Sequence, residues 1–461
     1  MDPASFKKLS AVESKRLLVA GQASAVALLE ASLAVLDESN GTLNAIVDRV
    51  STTELIADAQ ASDDRYCRGR PRGPIDGLPL TVKDNLWVEG MASTWGALGS
   101  HHPVADEPAI TRVREAGGLI IGMTNVPPFA LAATTSNSVY GVTRHPLDAD
   151  LTPGGSSGGA AASVAVGVTP FALATDAGGS VRRPAAYTGT VGFKPSTSAV
   201  EASVGFPRTA FDFQVIGTLA RSVADCALLS SVLAIDSGPG SLGLLSGDTE
   251  LLLSNWGAAS RLRILLVDDP AIVQEEAVSE AMELTAGLLS RAGHHVVREP
   301  LPYDVAELDA IWGALIAPGL ASAVEVLGVK PDSLPSAMGT LLARGQAMSA
   351  VELSRAMQRL LSLRLRARML WHGADAILSP SAPNFAWPHT DPYPRVIAGV
   401  AASPRAAAVY ATFANAIGAP AISLPAPSSG SLPVGVQLTC APGSDGRLLA
   451  LAWELEKLLA S

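Results

Sequence analysis

Two glycine-serine segments and one lysine are the residues of this sequence best suited to chemistry. Four glycines and two serines fill positions 154–159 (GGSSGG), and a second Gly-Gly-Ser ends at Ser180 within TDAGGSVRRPA. Lys83 lies in PLTVKDNL, an apolar run typical of a strand. A serine hydroxyl attacks carbonyl carbon when a base removes its proton. Burial lowers the pKa of a lysine and makes its amine available as that base.

The GGSSGG segment needs a compensating role, because Gly-Gly pairs lose much conformational entropy on folding. A flexible linker is disfavoured, because the segment lies among apolar elements and runs directly into AAASVAVGV. A phosphate cradle is disfavoured, because no Lys-Ser or Lys-Thr follows and the preceding HPLDADLTP is not a strand. The G-x-S-x-G nucleophile elbow also matches, but it requires that missing strand. A catalytic loop of another kind remains.

None of the histidines is an obvious candidate for the base that would activate a serine. All seven occur in ordinary settings, and we interpret them as solvent or loop residues. The S-x-x-K pattern at 5–8 lies in a terminal amphipathic helix and is interpreted as chance. Lys83 is therefore the candidate base, with an ion pair to the adjacent Asp84 as an equally supported alternative.

The second Gly-Gly-Ser follows FALAT, a strand-like run, so Ser180 is expected just beyond a strand end. There the backbone N–H groups of Ala177, Gly178 and Gly179 can converge as an oxyanion hole. An ordinary turn after a strand is the alternative.

Composition limits the classes of protein to consider. Of 461 residues, 48% are hydrophobic and 16% charged, which predicts a globular chain with a sizeable core. A net charge of -10 without a long basic cluster argues against nucleic acid as a partner. Three widely spaced cysteines match neither a metal site nor a disulfide framework, so we expect a cytoplasmic protein. No stretch has the pattern of a signal peptide, and none is expected to be apolar enough over about 20 residues to span a membrane.

The elements that must position these residues alternate between helix and strand, which indicates an α/β protein. The residues at 5–38 are predicted to be helical, broken at Gly21 and ended near 39–41. The longest loop is predicted at 237–248. Further expected elements are strands in GLPLTVKDNLWV, GLIIGMTN, APAISLPA and PVGVQLTC, and a strand-helix-strand unit from RLRILLVDD to HHVVREPL.

Three segments, in this order, resemble the signature of the amidase signature family of serine hydrolases: KDN at 83–85, PGGSSGG at 153–159 and TDAGGSVRRPA at 175–185. VGFKP, DAILSPSAP, GAPAISLP and LPVGVQL agree, so the resemblance covers nearly the whole chain. It implies an α/β fold with a large mixed β-sheet core covered on both sides by α-helices. It further implies one domain over 1–461, with N-terminal helices at 1–45, a catalytic signature region at 75–200 and a variable helical specificity region at about 304–372.

The resemblance also implies roles for individual residues. Ser180 is expected to be the nucleophile, Lys83 the ultimate base, and Ser156 the bridge between them, placed after a cis peptide bond. Ser157 is expected to serve backbone hydrogen bonding. The oxyanion would be held by N–H groups of residues 177–180, and the reaction would pass through an acyl-enzyme without metal or cofactor.

Asp176 and Arg182 flank the nucleophile, and we interpret them as a structural ion pair that fixes the loop. The implied substrate is a small-molecule amide, ester or carbamate, handled by a monomer or homodimer. Two alternatives are a transamidation subunit that serves an aminoacyl-tRNA complex and a catalytically silent binding module.

The sequence departs from the family pattern in the region that would shape substrate choice. Met123 and Pro128 stand where many members carry Lys and Glu, so the wall near 125–135 is expected to be atypical. The helical region at 304–372 is apolar and alanine-rich, which favours an apolar pocket. Its larger side chains are expected to pack in the core; they are Trp312, Leu315 and Met338.

Overall fold

The computed structural model describes residues 1–97, 101–202, 208–235 and 261–460. The loop predicted at 237–248 lies outside these ranges. The fourteen α-helices of the described residues are α1 (Pro3–Phe6), α2 (Ala11–Val19), α3 (Ala25–Leu43), α4 (Thr52–Cys67), α5 (Pro108–Glu115), α6 (Gly158–Ala165), α7 (Arg182–Thr188), α8 (Val223–Leu233), α9 (Glu276–Arg291), α10 (Val305–Val326), α11 (Ser336–Ala347), α12 (Ala350–Leu370), α13 (Thr412–Ala416) and α14 (Asp445–Ala460).

The strands of the same ranges are β1 (Ile46–Arg49), β2 (Pro79–Lys83), β3 (Leu119–Thr124), β4 (Ser136–Asn137), β5 (Gly141–Val142), β6 (Phe171–Asp176), β7 (Val191–Lys194), β8 (Val215–Ala220), β9 (Arg263–Val267), β10 (His295–Glu299), β11 (Ala376–Pro380), β12 (Val396–Ile397), β13 (Val400–Ala401), β14 (Ala421–Ala426) and β15 (Val434–Cys440).

Eleven strands form one mixed sheet, in the order β1-β3-β2-β6-β8-β7-β14-β15-β11-β9-β10. β2 pairs in parallel with both β3 and β6, whereas β8 is antiparallel to β6 and β7. Every residue of β2, β3, β6 and β8 is buried, which explains their nearly continuous apolar sequences. The expected α/β class with a large mixed sheet and packed helices is confirmed.

The strand-helix-strand unit predicted late in the chain is present. β9 and β10 pair in parallel, with α9 as the crossover helix between them. The predicted strands in APAISLPA and PVGVQLTC are β14 and β15, which pair antiparallel near the middle of the sheet. These elements extend the sheet on the side away from β1.

The N-terminal helices end later than the sequence suggested. α3 continues through the predicted stop at 39–41 to Leu43. The turn comes at Asn44, which adopts a left-handed conformation at φ 49° and donates its N–H to the Asn40 carbonyl. The Asn40 side chain accepts from the N–H groups of Ala45 and Ile46, so this polar residue supports the helix end.

The region at 304–372 is mostly helical, as predicted, and consists largely of α10, α11 and α12. Among the described residues, α10 alone is long and apolar enough to cross a membrane by length and composition. The expectation that no stretch meets this test is therefore wrong for α10. The helix is apolar because it packs against the core, where Ile311, Leu315 and Leu320 are buried.

Candidate active site

Lys83 ends β2 inside the protein, with none of its surface exposed. Its Nζ donates to Ser156 Oγ at 2.8 Å, to Ser157 Oγ at 2.9 Å and to Thr175 Oγ1 at 3.0 Å. The Thr175 carbonyl oxygen lies 3.4 Å away and is the remaining acceptor. All of these acceptors are neutral, so no contacting carboxylate holds the amine in its charged form.

Burial lowers the pKa of Lys83 to about 7, and the nearby Asp176 charge opposes the shift. The alternative ion pair with Asp84 does not form. The Asp84 carboxylate instead accepts hydrogen bonds from the backbone N–H and the hydroxyl of Thr94. Burial raises the pKa of Asp84 to about 7, so this carboxyl is itself a poor counter-ion.

The first glycine-serine segment is a tightly enclosed loop that leads into α6. The peptide bond between Gly155 and Ser156 is cis. A Cβ at Gly155 would lie 2.7 Å from the Thr134 carbonyl oxygen and 2.8 Å from that of Ala132. Only glycine therefore fits between this loop and the neighbouring backbone, and the close approach places the Ser156 hydroxyl beside Lys83.

Ser157 contributes more than the expected backbone hydrogen bonds. Its hydroxyl accepts from Lys83 and donates to the Thr175 carbonyl at 3.2 Å. Its backbone N–H donates to the Ser180 carbonyl at 3.2 Å, which ties the two glycine-serine loops together.

Ser180 follows β6, as predicted, and is 8% exposed. Ser180 and Ser156 line the same cavity. The two hydroxyls make no direct hydrogen bond to each other, whereas Ser156 and Lys83 do. The structure thus places both serines at one cavity, with Lys83 buried behind Ser156 and bonded to it, and the expected link between Ser156 and Ser180 is not formed.

The turn before Ser180 differs from expectation at Gly179. This residue has φ 99°, and a Cβ there would lie 2.5 Å from Ala411 Cβ, so glycine is required. Its N–H donates to the Asp176 carboxylate at 2.7 Å and is therefore not a free oxyanion donor. The backbone N–H groups of Ala177, Gly178 and Ser180 have no partner among the described residues and remain available.

Asp176 and Arg182 form a buried ion pair at 2.9 Å. Burial raises the pKa of Asp176, but the Arg182 charge and hydrogen bonds outweigh it and hold the pKa well below the ordinary carboxyl range. Arg182 also donates to Gln437 and Asn415. The pair thereby fastens the turn before Ser180 to β15 and α13.

The cavity in front of the serines has a volume of about 420 Å³. One wall is the segment at 130–133, which lies within the region predicted to be atypical. Trp312 packs against the core, as expected, and also lines the cavity. Leu315 and Met338 are buried core residues, as expected. Most of the lining is apolar, and its polar members beyond the serines are Thr175, Arg183, Thr209, Gln214 and Arg405.

Three residues at this site were not singled out from the sequence. Thr175 bonds Lys83, and Asn85 donates to Thr175 Oγ1 at 3.0 Å. Arg183 lines the cavity three residues after Ser180. Thr175 and Asn85 lie within the quoted TDAGGS and KDN segments, so motif membership was the available signal. The second arginine of VRRPA was the signal for Arg183.

Other groups are remote from the cavity. None of the seven histidines lines it, and two of them, His145 and His294, are buried rather than exposed. The His145 ring forms a hydrogen bond with the Tyr187 carbonyl at 2.8 Å. Within the described ranges, no group of three or more His, Cys, Asp or Glu residues is placed to hold a metal ion.

The mixed sheet thus holds a buried lysine that is bonded to two serines of a glycine-rich loop. The family model described as Amidase matches residues 27–449, and the chain belongs to this family, whose enzymes carry the amidase signature.

Similar proteins carry two kinds of name. The A subunit of the glutamyl-tRNA(Gln) amidotransferase of Symbiobacterium thermophilum is 30% identical, over 98% of this chain and 96% of its own length. The crystal structure of an amidase superimposes with a TM-score of 0.87 at 30% identity, covering 98% of this chain and 100% of that one. A bacterial aryl acylamidase of the same family gives a TM-score of 0.86 at 25% identity, covering 98% and 96%.

Proposed function

We propose that this protein hydrolyses the C–N bond of small or aryl amides through an acyl-enzyme on Ser180. The observation that carries the proposal is the 2.8 Å hydrogen bond between Lys83 Nζ and Ser156 Oγ, in the wall of the cavity that Ser180 lines. The membership of the Amidase family supports the reaction type.

The first half-reaction begins with a proton relay. Ser156 accepts the Ser180 hydroxyl proton while giving its own to neutral Lys83. The Ser180 oxygen attacks the carbonyl carbon, and the carbonyl electron pair moves to oxygen. The free backbone N–H groups of Ala177, Gly178 and Ser180 are the candidate donors to this oxyanion.

The amine leaves when the tetrahedral intermediate collapses. Its nitrogen takes the proton of Ser156, which is reprotonated from the Lys83 ammonium. Water then loses a proton to the same relay and attacks the acyl carbon, which releases the acid and restores Ser180. The relay needs a lysine that is neutral near pH 7, in agreement with a pKa lowered to about 7.

Esters and carbamates are proposed as further substrates, because the same attack and oxyanion serve all three carbonyl classes. The volume of the cavity, about 420 Å³, and its mostly apolar lining favour small or aryl substrates.

A second candidate function is supported by the curated relatives, which are named as the A subunit of glutamyl-tRNA(Gln) amidotransferase. In that case the chain acts as one subunit of a transamidation complex. Both functions use the same amide cleavage and differ in whether the isolated chain turns over small amides. A silent binding module is disfavoured because Ser156 and Ser180 line one cavity and Lys83 is bonded to Ser156.

The test is hydrolysis of acetanilide, p-nitroacetanilide, p-nitrophenyl acetate and a phenyl carbamate by the purified chain alone. Turnover of the anilides with Ser180→Ala as the inactive control supports the amidase. Absence of turnover together with stable copurified subunits supports the transamidation complex. Absence of both, and no reaction with a fluorophosphonate, contradicts an enzyme with this site.

A further inference from the structure

Arg183 is a buried arginine that takes part in no step of the amide cleavage described above. It lies in the first turn of α7, three residues after Ser180, and is 7% exposed. It lines the same cavity as Ser156 and Ser180. Its position therefore places a positive charge within the substrate space rather than on the protein surface.

The hydrogen-bonding capacity of Arg183 is nearly unused. A guanidinium has five N–H donors. Nη2 makes one long bond, 3.4 Å, to the Gly155 carbonyl, and the buried Nε has no partner in the described part of the chain. A buried polar group without a partner costs free energy, so an acceptor within reach of this guanidinium would stabilise it.

The charge of Arg183 is unpaired as well. Among the described residues no carboxylate forms an ion pair with it, since Asp176 pairs with Arg182 and Asp309 with Arg405. Burial lowers the pKa of Arg183, with Tyr187 opposing the shift and Arg405 adding to it. An arginine nevertheless keeps its proton in proteins, so the cavity holds a cation that lacks an anion.

The location of the guanidinium ties that anion to the reacting bond. A Cβ on Gly179 would lie 3.1 Å from Arg183 Nε, so Nε packs against the turn before Ser180. Nη2 meets the carbonyl of Gly155, the residue directly before Ser156. The guanidinium thus lies between the two glycine-serine loops, at the same cavity as Ser156 and Ser180.

Arg405, the other arginine that lines the cavity, has hydrogen-bond partners within the protein. It donates to Asp309 and to Thr412 Oγ1, and its guanidinium stacks over Trp312 at 4.7 Å from the ring centroid. The charge of Arg405 is therefore neutralised within the protein, and the residue serves as part of the cavity wall. Arg183 has none of these partners.

We propose that Arg183 binds a carboxylate carried by the substrate close to the scissile carbonyl, so that the preferred substrates are anionic amides. This inference rests on the proposed function, because it assigns a substrate class to the same site. A carboxylate supplies two oxygens that match the guanidinium fork, and monoamides of short dicarboxylic acids are the simplest members of the class.

The experiment compares amides matched in length with and without the carboxylate. Succinamate against butanamide and glutaramate against pentanamide place it on the acyl side; N-acetylglycine against N-propylacetamide places it on the leaving side. In at least one pair, kcat/KM should be roughly 10- to 100-fold higher for the anion. The variant Arg183→Met should reduce that preference by a similar factor, and Arg183→Lys should restore part of it.

Two controls keep this result specific. Arg344→Met removes an exposed arginine of α11 that does not line the cavity, and the anionic preference should remain. Calorimetry of succinate binding to Ser180→Ala protein measures recognition without turnover, and adding Arg183→Met should abolish that binding. If Arg183→Met does not fold, the selectivity of the wild-type protein decides.

The outcomes separate this inference from the proposed function. Neutral amides hydrolysed as fast as anionic ones, with no succinate binding, overturn the role of Arg183 and leave the amidase intact. Anionic preference that survives Arg183→Met and is lost in Arg405→Met also overturns it. Failure of every amide together with no fluorophosphonate labelling overturns the proposed function, while succinate binding still tests Arg183.

Discussion

Lys83 Nζ lies 2.8 Å from Ser156 Oγ and contacts no carboxylate. A buried ammonium with only neutral acceptors is costly, whereas a neutral amine in the same place is a proton acceptor aimed at a hydroxyl. The pKa lowered to about 7 follows from this environment. The relationship converts a strand-end lysine into the candidate base of the site.

The pH dependence of hydrolysis should follow the protonation of Lys83. The neutral amine is the active form, so kcat/KM for a neutral amide should be level well above pH 7 and fall about tenfold per pH unit well below it. Rates measured between pH 5 and 9 at constant ionic strength define this fall, the acid limb of the pH profile. A profile that is flat down to pH 5 contradicts the assignment.

Asp84 supplies the control for that limb, because burial raises its pKa to about 7 without contact to Lys83. The variant Asp84→Asn should keep the acid limb. A limb that disappears in Asp84→Asn would assign the titration to the carboxyl instead of the lysine.

The two remaining side-chain acceptors of Lys83 should tune its basicity. Ser157 Oγ and Thr175 Oγ1 both accept from Nζ and thereby stabilise its charged form. Thr175→Val and Ser157→Ala should each move the acid limb to lower pH, because the ammonium loses an acceptor. Ser163→Ala removes a buried hydroxyl that bonds only Ala160 within α6, and its pH profile should match the wild type. A limb that moves upward in Thr175→Val contradicts the role given to these hydroxyls.

The ion pair of Asp176 and Arg182 should be important for stability. Asp176→Asn leaves a fully buried guanidinium without its anion, which should lower the free energy of unfolding by about 3–5 kcal/mol. Denaturant unfolding at pH 7 measures the change. Asp212→Asn breaks a partly exposed pair with Arg364 and should cost about 0–1 kcal/mol. An equal loss of unfolding free energy in the two variants would contradict the claim that burial makes the pair of Asp176 and Arg182 the more important one.

The ion pair of Asp176 and Arg182 also determines how the free energy of unfolding changes as the pH falls. The pKa of Asp176 is depressed in the folded protein, so its contribution is complete above the ordinary carboxyl pKa. That contribution is lost as the pH falls toward the folded-state pKa. Unfolding measured from pH 6 down to pH 2 should therefore show a shallower loss in Asp176→Asn than in the wild type.

The glycine at position 155 should tolerate no side chain. A Cβ there meets two carbonyl oxygens at 2.7 and 2.8 Å, both of them backbone atoms. Gly155→Ala should reduce kcat by more than Gly430→Ala, where the nearest atoms belong to the Phe385 ring at 3.2 Å. Steady-state kinetics with far-ultraviolet circular dichroism separates lost geometry from lost folding. Normal turnover in Gly155→Ala contradicts the tight packing of this loop.

The sequence predicts much of the fold because the apolar patterns are strong. β2, β3 and β6 read as buried strands, and the late strand-helix-strand unit forms with parallel pairing. The end of α3 was misplaced because the polar residues before Asn44 bond to the backbone within the helix and just after it. Local propensity cannot report such contacts.

The site was predicted less completely, because its contacts join distant segments. Thr175 lies 92 positions from Lys83, and only the pairing of β2 with β6 makes them neighbours. The engagement of the Gly179 N–H by Asp176 depends on the shape of one turn. Trp312 reaches the cavity because α10 crosses in front of Gly178, which no periodicity reveals.

The central claim, an acyl-enzyme on Ser180, is tested most directly by identifying the modified residue. The protein is treated with a fluorophosphonate at pH 8 and digested, and the labelled peptide is sequenced by mass spectrometry. A single adduct on Ser180 is expected, absent in Ser180→Ala and formed much more slowly in Lys83→Met. An adduct on Ser156 or Ser157, or full amide turnover by Ser180→Ala, would contradict it.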